Sequence, residues 1–256
     1  MDLGGFLYPN KKVHLILFLG LSFAIFGSPL WGSSASLNEP DTPEGLEKEL
    51  QHLLSRGMAQ SQDPIELQRL ASLYLDLGYG LYVDPEKKIG AFQEGARLAK
   101  KALAQEDSSA DAHFLYAANL GSATELQGVI FGMLRIQEIK FHVHRVLELD
   151  AMYAPAHHML GRMYEELPWF LGGDQEAAGE HLKKAVSLDI HYAPGRLDLG
   201  RWYLKQGYHQ EAVQEFTRVV ETPPREKVWI WERMYRPQAR DLLRQLNVNE
   251  GSGDSP

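Results

Sequence analysis

APGRLDLGRWYLKQGYHQEAVQEFTRVVETPP, residues Ala193–Pro224, carries two periodicities at once. Leu199-Gly200, Tyr203, Gly207, Ala212, Phe216 and Pro224 stand at the spacings of a helix–turn–helix repeat about 34 residues long. The small residue in mid-helix, Gly200, lets the partner helix approach, and large apolar residues fill the space beside it.

The same pattern extends backwards with changing length. Ala212, Phe216 and Val219 lie 34 residues after Ala178, Leu182 and Ala185. Leu160-Gly161 and Tyr164, however, precede Leu199-Gly200 and Tyr203 by 39 residues, so five extra residues fall in PWFLGGD, Pro168–Asp174. Spacings at the unit junctions widen from 39 (Val146 to Ala185) to 44 (Ala102 to Val146). Four units result, starting near residues 64, 110, 154 and 193. A helix pair cannot bury its apolar face alone, so the units must stack.

Other helices read from stripes and caps. Thr42-Pro43-Glu44 opens a helix over Glu44–Met58, with Leu46, Leu50, Leu53 and Leu54 on one face. Asp63-Pro64 and Asp84-Pro85-Glu86 open the two helices of the first unit. A helix over Asp111–Leu120 is expected to stop at Gly121-Ser122, followed by a long helix over Glu125–Leu149. In that long helix Gly128 and Gly132 share a face that a neighbouring helix could approach. The expected organisation is a signal peptide at 1–35, a linker at 36–43 and a repeat domain at 44–247. A closing helix at 226–247, interrupted near Pro237, precedes a disordered tail at 248–256. The expected class is all-α: a right-handed superhelical stack of helix–turn–helix units, an α-solenoid with irregular inserts.

The N-terminus reads as an address. Lys11-Lys12 precede the apolar run Val13–Phe26, then Gly27-Ser28-Pro29 and the small residues Ser33 and Ala35. That pattern predicts cleavage after Ala35 and export to a periplasmic compartment. The run is short for the ~20 residues of a spanning helix, although an uncleaved anchor is the alternative.

Composition narrows the function. The chain has 256 residues, a net charge of -8 and no cysteine. Acidity without a Lys/Arg block argues against a nucleic-acid partner. The missing thiols exclude disulfides, thiolate metal sites, a cysteine nucleophile and a lipid-modified cysteine anchor.

These spacings resemble the tetratricopeptide repeat family, strongly at Ala193–Pro224 and well at Ala154–Asp189. Two relatives with irregular repeats are also similar. ELDAMYAPAHHMLGRMYEELPWFLGGDQEAAGEHLKKAVSLD, Glu148–Asp189, resembles the periplasmic T-component of TRAP-type transporters. IQEIKFHVHRVLELD, Ile136–Asp150, is similar to the regulator of microtubule dynamics family. The leader favours the first.

Ten histidines invite a metal, but His142 and His144 are two apart, about 200° around a helix, and do not converge. His113 and His157 are 44 apart at one unit position, which suggests packing. His157-His158 point apart, Glu165-Glu166 read as a solvated face, and no HExxH, GxSxG, phosphate loop or dinucleotide motif occurs. No catalysis, metal or cofactor is expected.

Function is expected on the concave surface instead, where the first helices of the units line a groove. Helical spacing points Phe114, Ala118, His158, Arg162, Glu165, Leu197, Arg201 and Lys205 into it. Arg162 and Arg201, 39 apart, would form a cationic ladder for an acidic peptide; salt bridging to Glu165, Glu166 or Asp198 is the competing reading. Trp169, Phe170 and Leu171 form a second candidate, a docking loop or a plug. Gly128–Met133 with Ala117, Ala118 and Gly121 could leave a cavity for a small apolar ligand. The reading is an exported, non-catalytic scaffold that binds a protein or peptide partner, accessory to envelope transport or assembly. The alternative is a small-ligand-binding component of a solute transporter.

Overall fold

Short polar side chains followed by proline set the helix starts. Thr42 Oγ1 accepts the Gly45 amide at 3.1 Å, Asp63 accepts Ile65 at 2.8 Å and Asp84 accepts Lys87 at 2.8 Å, with Pro43, Pro64 and Pro85 next in line. Each such cap contributes about 1 kcal/mol. Ser109 and Asp174 do the same without proline.

A computed structural model describes residues 42–251. The expected leader, nearly all of the linker and residues 252–256 lie outside the described residues. In order come α1 (Pro43–Ser55), a 3-10 turn (Met58–Gln60), α2 (Pro64–Gly80), α3 (Pro85–Gln105), α4 (Ala110–Gln127) and α5 (Val129–Leu149). Then come α6 (Ala154–Glu166), a 3-10 turn (Trp169–Leu171), α7 (Gln175–Leu188), α8 (Ala193–Lys205) and α9 (His209–Glu221). The chain closes with α10 (Val228–Ile230), a π turn (Trp231–Tyr235) and α11 (Arg236–Gly251). The fold is an all-α solenoid, with four helix pairs among the described residues, α2/α3, α4/α5, α6/α7 and α8/α9, whose first helices start at Pro64, Ala110, Ala154 and Ala193.

Glycine spacing has its expected cause. A Cβ on Gly161 would meet Leu182 Cγ at 2.7 Å, and one on Gly200 would press into the Phe216 ring. Leu182 and Phe216 are the 34-residue pair that defined the repeat. One apolar core runs from α1 through α6, including Leu67, Leu70, Phe92, Leu98 and Phe114. Another joins α8 and α9 to the closing helix through Phe216, Val219, Ile230, Trp231, Tyr235 and Ala239.

Some boundaries differ from expectation. Helix α4 continues through Gly121-Ser122 and turns at Gly128, whose φ is +105°. Within the helix the Ser122 hydroxyl donates to Ala118 O at 2.7 Å and Thr124 to Gly121 O at 2.9 Å, so both polar residues are satisfied locally. Gly128 is therefore a turn residue, and among the described residues no neighbouring helix lies within 4 Å of where its Cβ would be. The interruption near Pro237 is a π turn: Pro237 lacks an amide hydrogen, and the Arg236 amide bonds Trp231 O, five residues back. Helix α11 also runs to Gly251, through residues expected in the tail.

Candidate partner-binding surfaces

Helical spacing identifies one face of each first helix, and in α6 and α8 that face converges on Asp198. This carboxylate, with a side chain only 5% exposed, receives His158 Nε2–H at 2.8 Å, Arg162 Nη1 at 3.0 Å and Arg201 Nη1 at 2.8 Å. A carboxylate only accepts, so His158 donates from Nε2 and accepts a hydrogen bond from the Tyr192 hydroxyl at Nδ1, 3.0 Å away. Burial alone would raise the Asp198 carboxyl, but Arg162, His158 and Arg201 outweigh it and hold it well below the usual carboxylate range. Burial keeps His158 below its ordinary value, hence neutral near pH 7. Arg162 also donates through Nε to Glu166 at 3.0 Å.

The expected ladder is therefore turned inwards. Phe114, Ala118, His158, Arg162 and Leu197 are buried, and a partner cannot reach them without parting helices. Arg162 and Arg201 share one internal carboxylate and do not form a row open to solvent. Glu165 is buried against Lys205 at 2.6 Å, and of this set only Arg201 and Lys205 keep substantial exposure. The salt-bridging alternative describes these residues, since helix–helix packing presses the arginines against Asp198 and Glu166.

What covers that inner face is the chain's own C-terminal segment. Lys227 Nζ lies 2.8 Å from Asp76 Oδ1 and 2.6 Å from Oδ2, on α2 of the first unit. The Trp229 ring occupies the space where Gly80 would carry a Cβ. Tyr235 is fully buried, and Arg201 Nη2 donates to Gln238 Oε1 at 2.8 Å. Sequence periodicity did not reveal this segment's place, because contact across 151 residues leaves no local signal. The small Gly80 and the acidic Asp76 on α2 are its only trace.

His113 and His157 are packing residues, the role their spacing suggested. His113 Nε2–H donates to Asp107 O at 3.0 Å and His157 Nε2–H to Ala151 O at 3.1 Å. Their Nδ1 atoms then accept from His142 (2.7 Å) and His181 (3.0 Å) on the second helix of the same unit. At the equivalent place in the last unit Arg196 donates to Ile190 O and pairs with Glu215 at 2.6 Å. One lock thus recurs three times, twice as a histidine pair and once as an ion pair. Among the described residues no group of three or more His, Asp or Glu is arranged to hold a metal ion.

Exposed apolar side chains gather elsewhere. Around the α4–α5 turn stand Ile130 (73% exposed), Leu134 (74%), Phe131, Met133 and Leu126. These side chains point outwards, and Met159 and Ile139 fill the space beside Gly121, where an apolar cavity was expected. In the second insert Trp169 is 85% exposed, with Phe170 exposed beside it and Leu171 half-buried, so the loop does not plug the solenoid. Gly172 places this turn beside Lys140 of α5, whose ammonium sits over the Tyr164 ring at 5.1 Å. Met133 and Lys140 are seven residues apart and share one face of α5. Among the described residues no helix is long and apolar enough to cross a membrane.

The solved structure of TTC0263, a thermophilic TPR protein of Thermus thermophilus, superposes with a TM-score of 0.50 over 81% of this chain and 100% of that one. At 16% identity this shows the repeat fold alone. Regulator of microtubule dynamics protein 1 of Mus musculus is 28% identical over 114 residues, covering 43% of this chain and 37% of that protein. The Bos taurus protein of the same name is 29% identical over 129 residues, 49% of this chain and 40% of that one. The match thus spans about two fifths of these relatives' length. A family model described as Regulator of microtubule dynamics protein 1-3 matches residues 39–167, from before α1 to the end of α6. It includes Ile136–Asp150, the segment whose resemblance to that family was the second of the two read above. With half the chain matched, the protein belongs to the regulator of microtubule dynamics protein 1-3 family.

Proposed function

We propose that this protein is a non-catalytic scaffold that docks a protein partner on the apolar edge formed by the α4–α5 turn and the Trp169–Leu171 turn. One observation carries the reading. The residues by which the units exceed the regular 34-residue length are the ones that expose Ile130, Phe131, Met133, Leu134, Trp169 and Phe170. Single exposed apolar residues need no explanation, but large ones gathered on a repeat protein mark an interaction surface. The relatives' name, regulator of microtubule dynamics, supports microtubules as the partner. Co-sedimentation with polymerised tubulin tests it. The native chain is expected to pellet, and Phe131→Ser with Trp169→Ser and Phe170→Ser to reduce pelleting at least tenfold. Equal pelleting of both would remove the edge from the reading. Absence of pelleting by the native chain would remove direct microtubule binding.

A second reading rests on Lys11-Lys12 and the apolar run Val13–Phe26: the chain is exported and serves an envelope transport or assembly system, by holding a protein or a small ligand. Sequencing the N-terminus of the protein from its own cells tests export, with a chain beginning at Ser36 expected and an intact leader against it. A small molecule retained in native mass spectrometry would favour the ligand-holding form.

A further inference from the structure

The closing segment holds its two ends differently. Ile230, Trp231, Tyr235 and Ala239 are buried in the core of the last unit, and Trp231 Nε1 donates to Val219 O at 2.6 Å. The tip Lys227–Trp229 reaches on to the first unit, with Trp229 wedged between the last unit's core and the core of the first units. Its backbone is strained: Lys227 has φ +52°, the left-handed region that a side chain disfavours. Val228 is 40% exposed, and the buried Trp229 Nε1 makes no hydrogen bond among the described residues. The tip is thus less deeply buried than Ile230, Trp231, Tyr235 and Ala239, which anchor the rest of the segment.

The tip's seat has definite chemistry. Asp76, 2% exposed, offers a carboxylate at the bottom of the seat, and Gly80, one helical turn further along α2, leaves a flat space where an indole lies. A cation two residues before a planar aromatic fills both positions at once.

We propose that the Asp76–Gly80 seat is a binding site for a partner protein's segment bearing a lysine two residues before a tryptophan. The chain's own Lys227–Trp229 tip occupies it as a displaceable clasp. The inner face, closed in the resting chain, opens to the partner when that segment takes the seat. This site is separate from the apolar edge, so either can fail alone.

The test uses the full chain and a labelled synthetic peptide, PREKVWIWER, copied from Pro224–Arg233. The native chain is expected to bind it weakly, and the Lys227→Glu, Trp229→Ala variant at least tenfold more tightly. Adding Asp76→Asn should return the affinity to the native level or below. Lys227→Gly, which relieves the strained backbone while removing the cation, serves if the first variant does not fold, and is expected to show the same gain. No gain in peptide affinity by a folded clasp variant, or a gain indifferent to Asp76→Asn, overturns the proposal. Concentration-dependent dimerisation of the native chain that Asp76→Asn abolishes would assign the seat to a second copy and overturn the partner reading.

Discussion

The Lys227 ammonium lies 2.6 Å from Asp76 Oδ2, joining the start of the closing segment to the first unit across 151 residues. The two side chains are unequally buried, 13% exposed for Lys227 and 2% for Asp76. Removing the cation by Lys227→Met leaves a carboxylate charge deep in the interior, whereas removing the anion by Asp76→Asn leaves a lysine able to reach water. Lys227→Met is therefore expected to cost about 3–5 kcal/mol and Asp76→Asn distinctly less. The double variant should be more stable than Lys227→Met alone. Urea unfolding of the three chains checks the order, and equal losses from both single changes would contradict it.

Two glycines make opposite predictions. A Cβ at Gly200 collides with the Phe216 ring, so Gly200→Ala forces α8 and α9 apart. Overpacking costs about 1–3 kcal/mol, against about 1 kcal/mol gained in helix propensity. Gly90, on the exposed face of α3, has no described atom within 4 Å of its Cβ position, and Gly90→Ala is expected to gain up to about 1 kcal/mol. Thermal melts of both variants separate packing from propensity: the Gly200 variant should melt lower than the native chain and the Gly90 variant higher.

The same glycine explains what was legible in the sequence. Gly200, Phe216 and their partners 34 or 39 residues earlier recur because every unit solves the same local packing problem, so spacing alone recovers the four pairs. Asp63, Asp84 and Asp174 are legible for a similar reason, since a cap acts on amides two or three residues away. Helical spacing also gathers His158, Arg162 and Arg201 on one side of their helices. It says nothing of what covers that side, and here the cover is a segment from the far end of the chain. Gly121 and Gly128 make the same point on a smaller scale. Both are glycines in an apolar stretch, but only Gly128 takes the positive φ of a turn, while Ser122 and Thr124 find carbonyl partners that carry the helix past Gly121.

The paired histidines predict an acid-sensitive fold. Burial, reinforced by the neighbouring His113, pushes His142 down to about 4. Burial followed by His157 lowers His181 in the same direction. The unfolded chain therefore binds protons more readily than the folded one between about pH 6.5 and 4. Their contribution to stability is fully present above about pH 6.5 and is lost as pH falls toward about 4. The melting temperature should drop across that window. In the His142→Gln, His181→Gln variant, whose amides have no proton to gain there, the drop should be shallower. An unchanged pH profile would assign the acid response to other groups.

Arg162 and Arg201 donate to the same Asp198 yet should respond very differently to substitution. The Arg162 side chain is 6% exposed and ties Asp198 to Glu166 inside the stack; Arg162→Met leaves two buried carboxylates facing each other without their shared cation. A loss of about 3–5 kcal/mol is expected. Arg201, with 34% of its side chain exposed, holds Asp198 from the rim, and Arg201→Met should cost at most about 1 kcal/mol. Charge reversal of both arginines would consequently unfold the protein before it could report on a partner, whereas Arg201→Glu alone leaves the internal pair in place. Circular dichroism and urea titration of the single variants check this. If Arg162→Met proved as mild as Arg201→Met, water would have to reach Asp198, and the inner face would be open to partners even with the Lys227–Trp229 tip in its seat.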